Sequence, residues 1–427
     1  MEICVNLPTL HRGQIDALNA HKEHRFIATR CGRRWGKTVL VTTLTADRAL
    51  KGKQVGLFAP EHRFLIEPFS TIRSVLGDAI KSSSEMKGEI NVYGGGKIDF
   101  WSLDNPNAGR GRKYHLAIVD EAAFAKTNLV EQWRRNIRPT LVDYRGGAVV
   151  CSNTNGADDQ NFFWQICNQK NLGFYDFHAP SSSNPHLPPE ELAEWQASAH
   201  PMVWMQEALA EFVNWSGVQF FSTDKLLIDG VAPEWPTTCD AVFAIIDSAA
   251  KTGKANDGTA AVYFAYTRNP LTGPNLYVLD YDLVQIEGAM LEVWLPSVLR
   301  NLETMAKKCN ARAGSIGALI EDKSSGTILL QQATRRNLPV RAIESKLTQM
   351  GKSERAISVS GYVHNNQVKF TRHAFEKTVT YKEITRNHLL GQVTGFRVGA
   401  DDKHAQDDAL DSFCYGIAIA LGDSSGF

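Results

Sequence analysis

A loop that ends in Gly36-Lys37-Thr38 constrains this chain more than any other segment. Residues 24–30 read as a short strand before the loop, and Thr38 to Leu50 read as a helix after it. In such a strand–loop–helix unit, backbone N–H groups and the helix N-terminus face a bound phosphate. We therefore predict a nucleotide-binding α/β domain in which Lys37 neutralises the β- and γ-phosphates and Thr38 binds Mg²⁺. The loop departs from the general pattern at Cys31, which occupies the position of the usual first glycine, and a basic surface turn is the alternative interpretation.

An acidic pair, Asp120-Glu121, follows the apolar run from His115 to Val119. A continuous apolar strand is typical of a parallel sheet that is buried on both faces. Ligands of open α/β sheets bind at the carboxyl ends of the strands. We predict that Asp120 holds Mg²⁺ and that Glu121 polarises the attacking water. The alternative is that the pair caps a helix from Glu121 to Val130.

Further polar residues fit the same site. Gln14 precedes the first strand at a spacing suited to reading an adenine edge, although a solvated polar residue is the alternative. Asn153, just after the predicted strand from Gly147 to Cys151, is placed to sense the γ-phosphate. One arginine would stabilise transition-state charge, an effect worth roughly 10³–10⁵ in rate. We favour Arg110, acting in a neighbouring subunit, but the sequence does not distinguish it from Arg112, Arg33 and Arg34.

The pattern of predicted elements changes at Asp240. Three strand candidates come first: Ala241 to Asp247, Thr259 to Tyr266 and Leu276 to Leu283. A helix, the strand Ile316 to Ile320, a second helix and the strand Val340 to Ile343 follow. Hairpin-linked strands followed by this alternation predict an RNase H-like fold. In that fold the first strand is central and the next parallel strand lies beside it, so Asp247 and Glu321 project from neighbouring strand ends.

A predicted terminal helix, from Asp407 to Leu421, would bring Asp407 or Asp408 to the same point. Carboxylates gathered this closely repel one another unless cations are bound. Two Mg²⁺ or Mn²⁺ ions would activate water and stabilise the leaving oxygen of a phosphodiester. Asp322 is a rival of Glu321, because strand register decides which of the two faces the metals.

Length and composition fit a two-domain globular protein. The chain has 427 residues, 43% hydrophobic and 22% charged, and a formal net charge of zero, so only a local basic surface is available for DNA. Its seven cysteines form no CxxC pair, which argues against zinc and fits a reducing cytosol. We find no signal peptide and no membrane-spanning run. Basic residues that are candidates for phosphate contacts are Lys346, Lys352, Arg355, Lys369, Arg372 and Lys377.

The motifs, taken together, resemble those of the large terminase subunit of tailed bacteriophages. The resemblance covers Gln14, the segment Gly32 to Thr38, Asp120-Glu121-Ala122 and Ser152 to Gly156. It continues through Asp247, Glu321 to Gly326, Lys352 to Ala356 and Asp407 to Asp411. It implies metal ligation by Asp247, Glu321 and Asp407, with Asp408 in support. It also implies an ASCE-type P-loop ATPase domain over 1–213, a linker over 214–238 and an RNase H-like nuclease domain over 239–427.

The resemblance implies a function and partners as well. A terminase large subunit uses ATP to move double-stranded DNA into a procapsid and cuts concatemeric DNA as a metal-dependent endonuclease. The expected partners are the portal protein, the terminase small subunit and further copies of the chain in a ring, in the host cytoplasm and without a membrane. The alternatives are a host helicase–nuclease of DNA repair and a DNA-binding assembly scaffold with both sites inactive.

Overall fold

The structure is a computed structural model that describes residues 5–126, 128–215, 218–248, 259–269, 273–284, 288–322, 325–397 and 408–422. The chain divides into two compact units. The first unit comprises Met1–Ala197 and Pro201–Asn214, and the second comprises Ser198–His200 and Trp215–Phe427. Of residues 214–238, which we expected to form a linker, Asn214 lies in the first unit and the segment from Trp215 onward in the second.

The first unit is built on one sheet. Its strands are β1 (Phe26–Cys31), β2 (Gln54–Ala59), β3 (Ile80–Ser84), β4 (Glu89–Val92), β5 (Lys97–Ser102), β6 (Leu116–Val119), β7 (Gly147–Ser152) and β8 (Tyr175–Ala179). They are ordered β3-β4-β5-β2-β6-β7-β1-β8. The six strands β5, β2, β6, β7, β1 and β8 are parallel to their neighbours in this order. The pairs β3–β4 and β4–β5 are antiparallel. All four residues of β6 are buried, as expected for a strand covered on both faces.

Helices cover both faces of this sheet. They are α1 (Arg12–Glu23), α2 (Lys37–Leu50), α3 (Arg63–Leu76), α4 (Leu129–Gln132), α5 (Arg138–Thr140), α6 (Phe162–Asn168), α7 (Pro189–Ser198) and α8 (Pro201–Glu207). Two apolar cores result, one containing Leu40 and Leu57 and the other containing Phe58 and Phe163. The helix that we considered from Glu121 to Val130 is wrong, because the chain forms only a 3₁₀ turn, Ala122–Phe124, before the short α4.

The second unit also centres on a sheet. Its strands are β9 (Ala241–Asp247), β10 (Thr259–Asn269), β11 (Gly273–Val284), β12 (Ser315–Ile320), β13 (Val340–Ala342), β14 (Val368–Phe370), and the separate hairpin β15 (Val379–Tyr381) and β16 (Ile384–Arg386). The main sheet has the order β13-β12-β9-β10-β11-β14. The pairs β9–β10 and β10–β11 are antiparallel, and β12 is parallel to β9. This is the order predicted for an RNase H-like fold.

The helices of the second unit are α9 (Gly288–Lys308), α10 (Ser325–Arg335), α11 (Ser345–Thr348), α12 (Lys352–His364), α13 (Arg372–Glu376), α14 (His388–Gly395) and α15 (Asp408–Leu421). Helix α9 packs with Val242, Ala244 and Ile246 of β9 in one core. Helix α15 contacts β9 and β10, and a Cβ on Gly416 would lie 2.3 Å from the Phe264 ring. Within the described residues, every helix is too short or too polar to cross a membrane.

Candidate functional site

The phosphate loop, residues Gly32–Thr38, joins β1 to α2 as predicted. Gly36 precedes α2 with φ +105°, a conformation that favours glycine. Lys37 is buried, and its Nζ donates to the Asn153 side-chain oxygen and lies 3.4 Å from the Cys31 carbonyl oxygen. Cys31 itself ends β1 with its side chain in the core, where no glycine is needed. The close approach occurs instead at Gly32, where a Cβ would lie 2.3 Å from the Ala208 carbonyl oxygen.

Gln14 lies against this loop and is almost completely buried. Its Nε2 donates to the Gly36 carbonyl oxygen at 3.0 Å, and its Oε1 accepts from the His11 backbone N–H at 2.9 Å. The alternative of a solvated polar residue is therefore wrong, since both ends of the amide bind backbone groups. Recognition of an adenine edge by Gln14 stays a prediction.

The acidic pair lies at the carboxyl end of β6. Asp120 is buried, and burial together with the charge of Glu121 raises the pKa of Asp120 to about 7, against the opposing charge of Lys37. A cation would offset the repulsion between the two carboxylates. Asp120 therefore suits a Mg²⁺ ligand, with the Thr38 hydroxyl at the start of α2 as a second donor. Glu121 has φ +49° and precedes the 3₁₀ turn Ala122–Phe124, but its side chain makes no capping hydrogen bond there. Helix α4 is capped by Asn128 instead.

The end of β7 connects these groups. Ser152 Oγ donates to Glu121 Oε2 at 3.3 Å, and Asn153, besides accepting from Lys37, donates to Glu207 Oε2 at 3.3 Å. Neither Ser152 nor Glu207 was assigned a role from the sequence. Their partners are 31 and 54 residues away along the chain, so no local pattern indicates these contacts.

The four candidate arginines differ in their surroundings. Arg112 pairs with the buried Asp99 at 3.6 Å. Arg33 pairs with Glu207 at 3.3 Å. Arg34 is exposed in the phosphate loop with φ +64°. Arg110 is exposed and its guanidinium donates to Asn107 of its own turn at 3.2 Å.

In the second unit, two of the predicted carboxylates lie side by side. Ile246 of β9 pairs with Ile320 of β12, and Glu321 N donates to the Ile246 carbonyl oxygen at 3.4 Å. Since both isoleucines point into the same core, Asp247 and Glu321 share the opposite face of the sheet. Asp322 faces away and accepts from Thr327 of α10 at 2.8 Å. The register therefore favours Glu321 over Asp322 as a ligand.

Asp407 lies outside the described residues, as does the side chain of Asp408. Within the described part of the chain, no group of three or more His, Cys, Asp or Glu residues is close enough to hold a metal. Asp247 and Glu321 fit two carboxylates of a divalent-metal site, and the predicted third carboxylate stays untested.

Helix α15 contributes a further acid, Asp411, which the site predictions omitted. Arg355 of α12 is buried, and its Nη1 lies 2.5 Å from Asp411 Oδ1. The same guanidinium lies 4.0 Å from the centre of the Tyr415 ring. Burial raises the pKa of Asp411 despite Arg355, and the negative charge of Glu321 adds to this rise. The Arg355–Asp411 pair thus lies next to the predicted metal ligands.

Most of the basic residues predicted to contact DNA have partners inside the second unit. Lys369 is buried and donates to the carbonyl oxygens of Lys225 and Leu227. Lys377 pairs with Asp280 at 2.7 Å, and Arg372 pairs with Glu234 at 2.8 Å. Lys369, Lys377 and Arg355 are therefore poor candidates for phosphate contacts, whereas Arg372 and Lys346 are exposed and stay predictions.

Three solved structures resemble the chain over nearly its whole length. All are of one large terminase, from a thermophilic bacteriophage. The match to the first structure covers 97% of this chain and 100% of the terminase chain, with TM-score 0.65 and 13% sequence identity. The match to its complex with ADP covers 96% of this chain and 99% of the terminase chain, with TM-score 0.66 and 13% identity. The match to its complex with ATP-gamma-S covers 95% of this chain and 98% of the terminase chain, with TM-score 0.62 and 12% identity.

Neither a protein-family model nor a curated protein sequence matches the chain. The likeness is therefore one of fold. The chain has the fold of this bacteriophage large terminase. In the chain itself, a P-loop α/β unit precedes an RNase H-like unit.

Proposed function

We propose that the chain is the large subunit of a terminase, an ATPase that drives double-stranded DNA into a procapsid and cuts it with a second, metal-dependent site. The observation that carries this proposal is the presence of both sets of residues on one terminase fold. Lys37, Asp120 and Glu121 meet in the first unit, and Asp247 and Glu321 meet in the second. The terminase of the thermophilic bacteriophage, which has this fold, is described in complexes with ADP and with ATP-gamma-S.

In the ATPase site, each group has a distinct task. Lys37 neutralises the β- and γ-phosphates, and the buried Asp120 and the Thr38 hydroxyl hold Mg²⁺. Glu121 accepts a proton from the attacking water. Ser152 orients the Glu121 carboxylate through its hydrogen bond. Because Lys37 also donates a hydrogen bond to Asn153, loss of the γ-phosphate would alter a contact of Lys37 with the end of β7.

In the nuclease site, Asp247 and Glu321 hold the metals from adjacent strand ends, with Asp407 and Asp408 completing the ligand set. Two Mg²⁺ or Mn²⁺ ions would supply an activated water and would stabilise the leaving oxygen of the phosphodiester. Arg355 neutralises Asp411 beside this cluster, which limits the number of unpaired negative charges there.

The proposal includes the partners of a packaging machine in the host cytoplasm: DNA, a portal protein, a small terminase subunit and further copies of the chain in a ring. Arg110 is the arginine that we propose to act in a neighbouring copy, because its guanidinium is exposed and its hydrogen-bond partner, Asn107, lies in the same turn. Arg112 and Arg33 are held by carboxylates of the same chain.

Plasmid cleavage with Mg²⁺ or Mn²⁺ and ATP hydrolysis, measured in the same tubes, test both activities. We expect Glu121→Ala to abolish ATP hydrolysis and to leave cleavage intact, and Asp247→Ala to do the reverse. Asp322→Ala is the matched control, since this acid neighbours Glu321 but faces Thr327. The proposal fails if either Glu121→Ala or Asp247→Ala removes both activities from a folded protein. It also fails if the folded wild-type protein does not cut DNA with Mg²⁺ and does not cut it with Mn²⁺.

A further inference from the structure

Glu207, at the end of α8, lies between the phosphate loop and the end of β7. Its Oε2 atom is 3.3 Å from Arg33 Nε and accepts from Asn153 Nδ2, also at 3.3 Å. The Glu207 side chain is 19% exposed, so the carboxylate is largely removed from water. One carboxylate oxygen therefore binds two groups that arise from separate loops of the site.

Those two groups are ones that the sequence assigns to nucleotide binding. Arg33 belongs to the phosphate loop, and Asn153 also accepts a hydrogen bond from Lys37. A terminal phosphate carries more negative charge than a carboxylate and offers three acceptor oxygens to the same donors. Bound γ-phosphate and Glu207 are therefore competitors for Arg33 and Asn153, and the two anions repel each other.

We propose that Glu207 sets the preference of this site between nucleoside triphosphate and diphosphate by competing with the γ-phosphate for Arg33 and Asn153. The inference rests on the proposed ATPase function and adds a residue to it. Glu207 is a positioning residue, because it acts on the nucleotide through its two partners. Its charge weakens binding of the triphosphate more than that of the diphosphate, which lacks the competing group.

The backbone of this segment is held independently of the carboxylate. Arg33 N donates to the Glu207 carbonyl oxygen at 2.8 Å, and Ser181 N donates to the Ala208 carbonyl oxygen at 2.7 Å. Gly32 lies so close to the Ala208 carbonyl that any Cβ would collide with it. A change of the Glu207 side chain therefore leaves the segment docked, which allows the charge to be tested alone.

The test is the binding of ATP-gamma-S and of ADP, each with Mg²⁺, to the full chain by calorimetry. Glu207→Gln keeps the shape and removes the charge, and we expect it to tighten ATP-gamma-S binding roughly five- to tenfold while ADP binding changes less than about twofold. Glu207→Asp keeps the charge on a shorter side chain and should stay near the wild-type ratio of the two Kd values. Glu211→Gln is the matched control, because this acid pairs with Arg30 at 3.4 Å and not with the phosphate loop.

Three results have different meanings. Tighter binding of ATP-gamma-S relative to ADP in Glu207→Gln, with no such change in Glu211→Gln, supports the competition, and weaker relative binding of ATP-gamma-S overturns it. An equal effect on both nucleotides, or no effect, in a protein that melts like wild type overturns it and leaves the ATPase proposal standing. Failure of wild type to bind either nucleotide overturns the proposed function itself.

Discussion

The Ser152 hydroxyl donates a hydrogen bond to Glu121 Oε2 across 3.3 Å, and accepts one from the Ala123 backbone N–H at 3.2 Å. Ser152 is completely buried at the end of β7, whereas Glu121 follows β6. The serine thus fixes the direction of the carboxylate that we propose as the general base. Because β6 and β7 pair in register up to Val119 and Val150, the two residues leave the sheet at nearly the same level.

We expect Ser152→Ala to lower the kcat of ATP hydrolysis roughly tenfold, with little change in nucleotide affinity, because the base loses its orientation and the phosphate contacts remain. Steady-state ATP hydrolysis and ATP-gamma-S binding measure the two effects. Thr154→Val is a suitable control, since the Thr154 hydroxyl lies 2.8 Å from the Glu211 carbonyl oxygen rather than near Glu121. A larger loss of affinity than of kcat in Ser152→Ala contradicts the assignment.

Arg110 and Arg112 should give opposite phenotypes. Arg110→Ala should reduce ATP hydrolysis by about 10³ or more in the assembled protein, the size of a transition-state arginine, with unchanged thermal stability. Arg112→Ala should lower the free energy of unfolding by less than about 1 kcal/mol, because the half-exposed Arg112 shares Asp99 with Lys97 and Tyr114. Its hydrolysis rate should stay near that of wild type.

The dependence of ATP turnover on protein concentration provides the check on Arg110. Turnover per chain should rise as the ring assembles in wild type and stay flat in Arg110→Ala. If the two proteins show the same turnover at every concentration, Arg110 has no role in a neighbouring copy.

His21 should make the first unit sensitive to acid. Burial, and then the positive charge of Arg48, lower the pKa of His21 from 6.5 to about 4. Between these values the unfolded chain binds a proton that the folded chain does not, so stability is full above about pH 6.5 and falls as the pH drops towards 4. The loss approaches about 3 kcal/mol at most.

His21→Gln should flatten this part of the stability profile, since glutamine does not titrate. Denaturant unfolding of both proteins at pH 7 and pH 4.5 measures the difference. An equal loss of stability in wild type and in His21→Gln over this range would show that His21 does not cause the acid sensitivity.

Arg355→Met should destabilise the second unit by about 3 kcal/mol, because it leaves Asp411, whose side chain is only 23% exposed, without its hydrogen-bonded cation. The double change Arg355→Met with Asp411→Leu should recover most of this loss, since no unpaired charge remains. Denaturant unfolding gives these free energies. Arg312→Met is the exposed control: Arg312 pairs with Asp240 at 3.2 Å but is 78% exposed, so its loss should stay below about 1 kcal/mol. A cost that small for Arg355→Met would contradict a buried, stabilising pair.

Several expectations about local structure are confirmed. The phosphate loop joins a strand to a helix, and the acidic pair follows a buried strand. The predicted run of three successive antiparallel strands is present in the second unit and begins at Ala241. Each of these features depends on residues adjacent in the chain, where apolar runs, glycines and turn residues directly limit the backbone. The alternative of a helix from Glu121 to Val130 is wrong, because the chain forms a 3₁₀ turn there and Ala123 N donates to Ser152 Oγ at the end of β7.

The sequence by itself determined the α/β character of both halves and the polar residues at the carboxyl ends of β1, β6, β9 and β12, because periodicity and turn chemistry act over a few residues. Only the tertiary structure decided which side chains meet: Ser152 with Glu121, Glu207 with Arg33, and Arg355 with Asp411. It likewise separated Arg110 from Arg112 and Glu321 from Asp322. These choices depend on strand order, register and burial. The partners are distant in the chain, so their contacts are set by packing of the whole unit rather than by the local pattern.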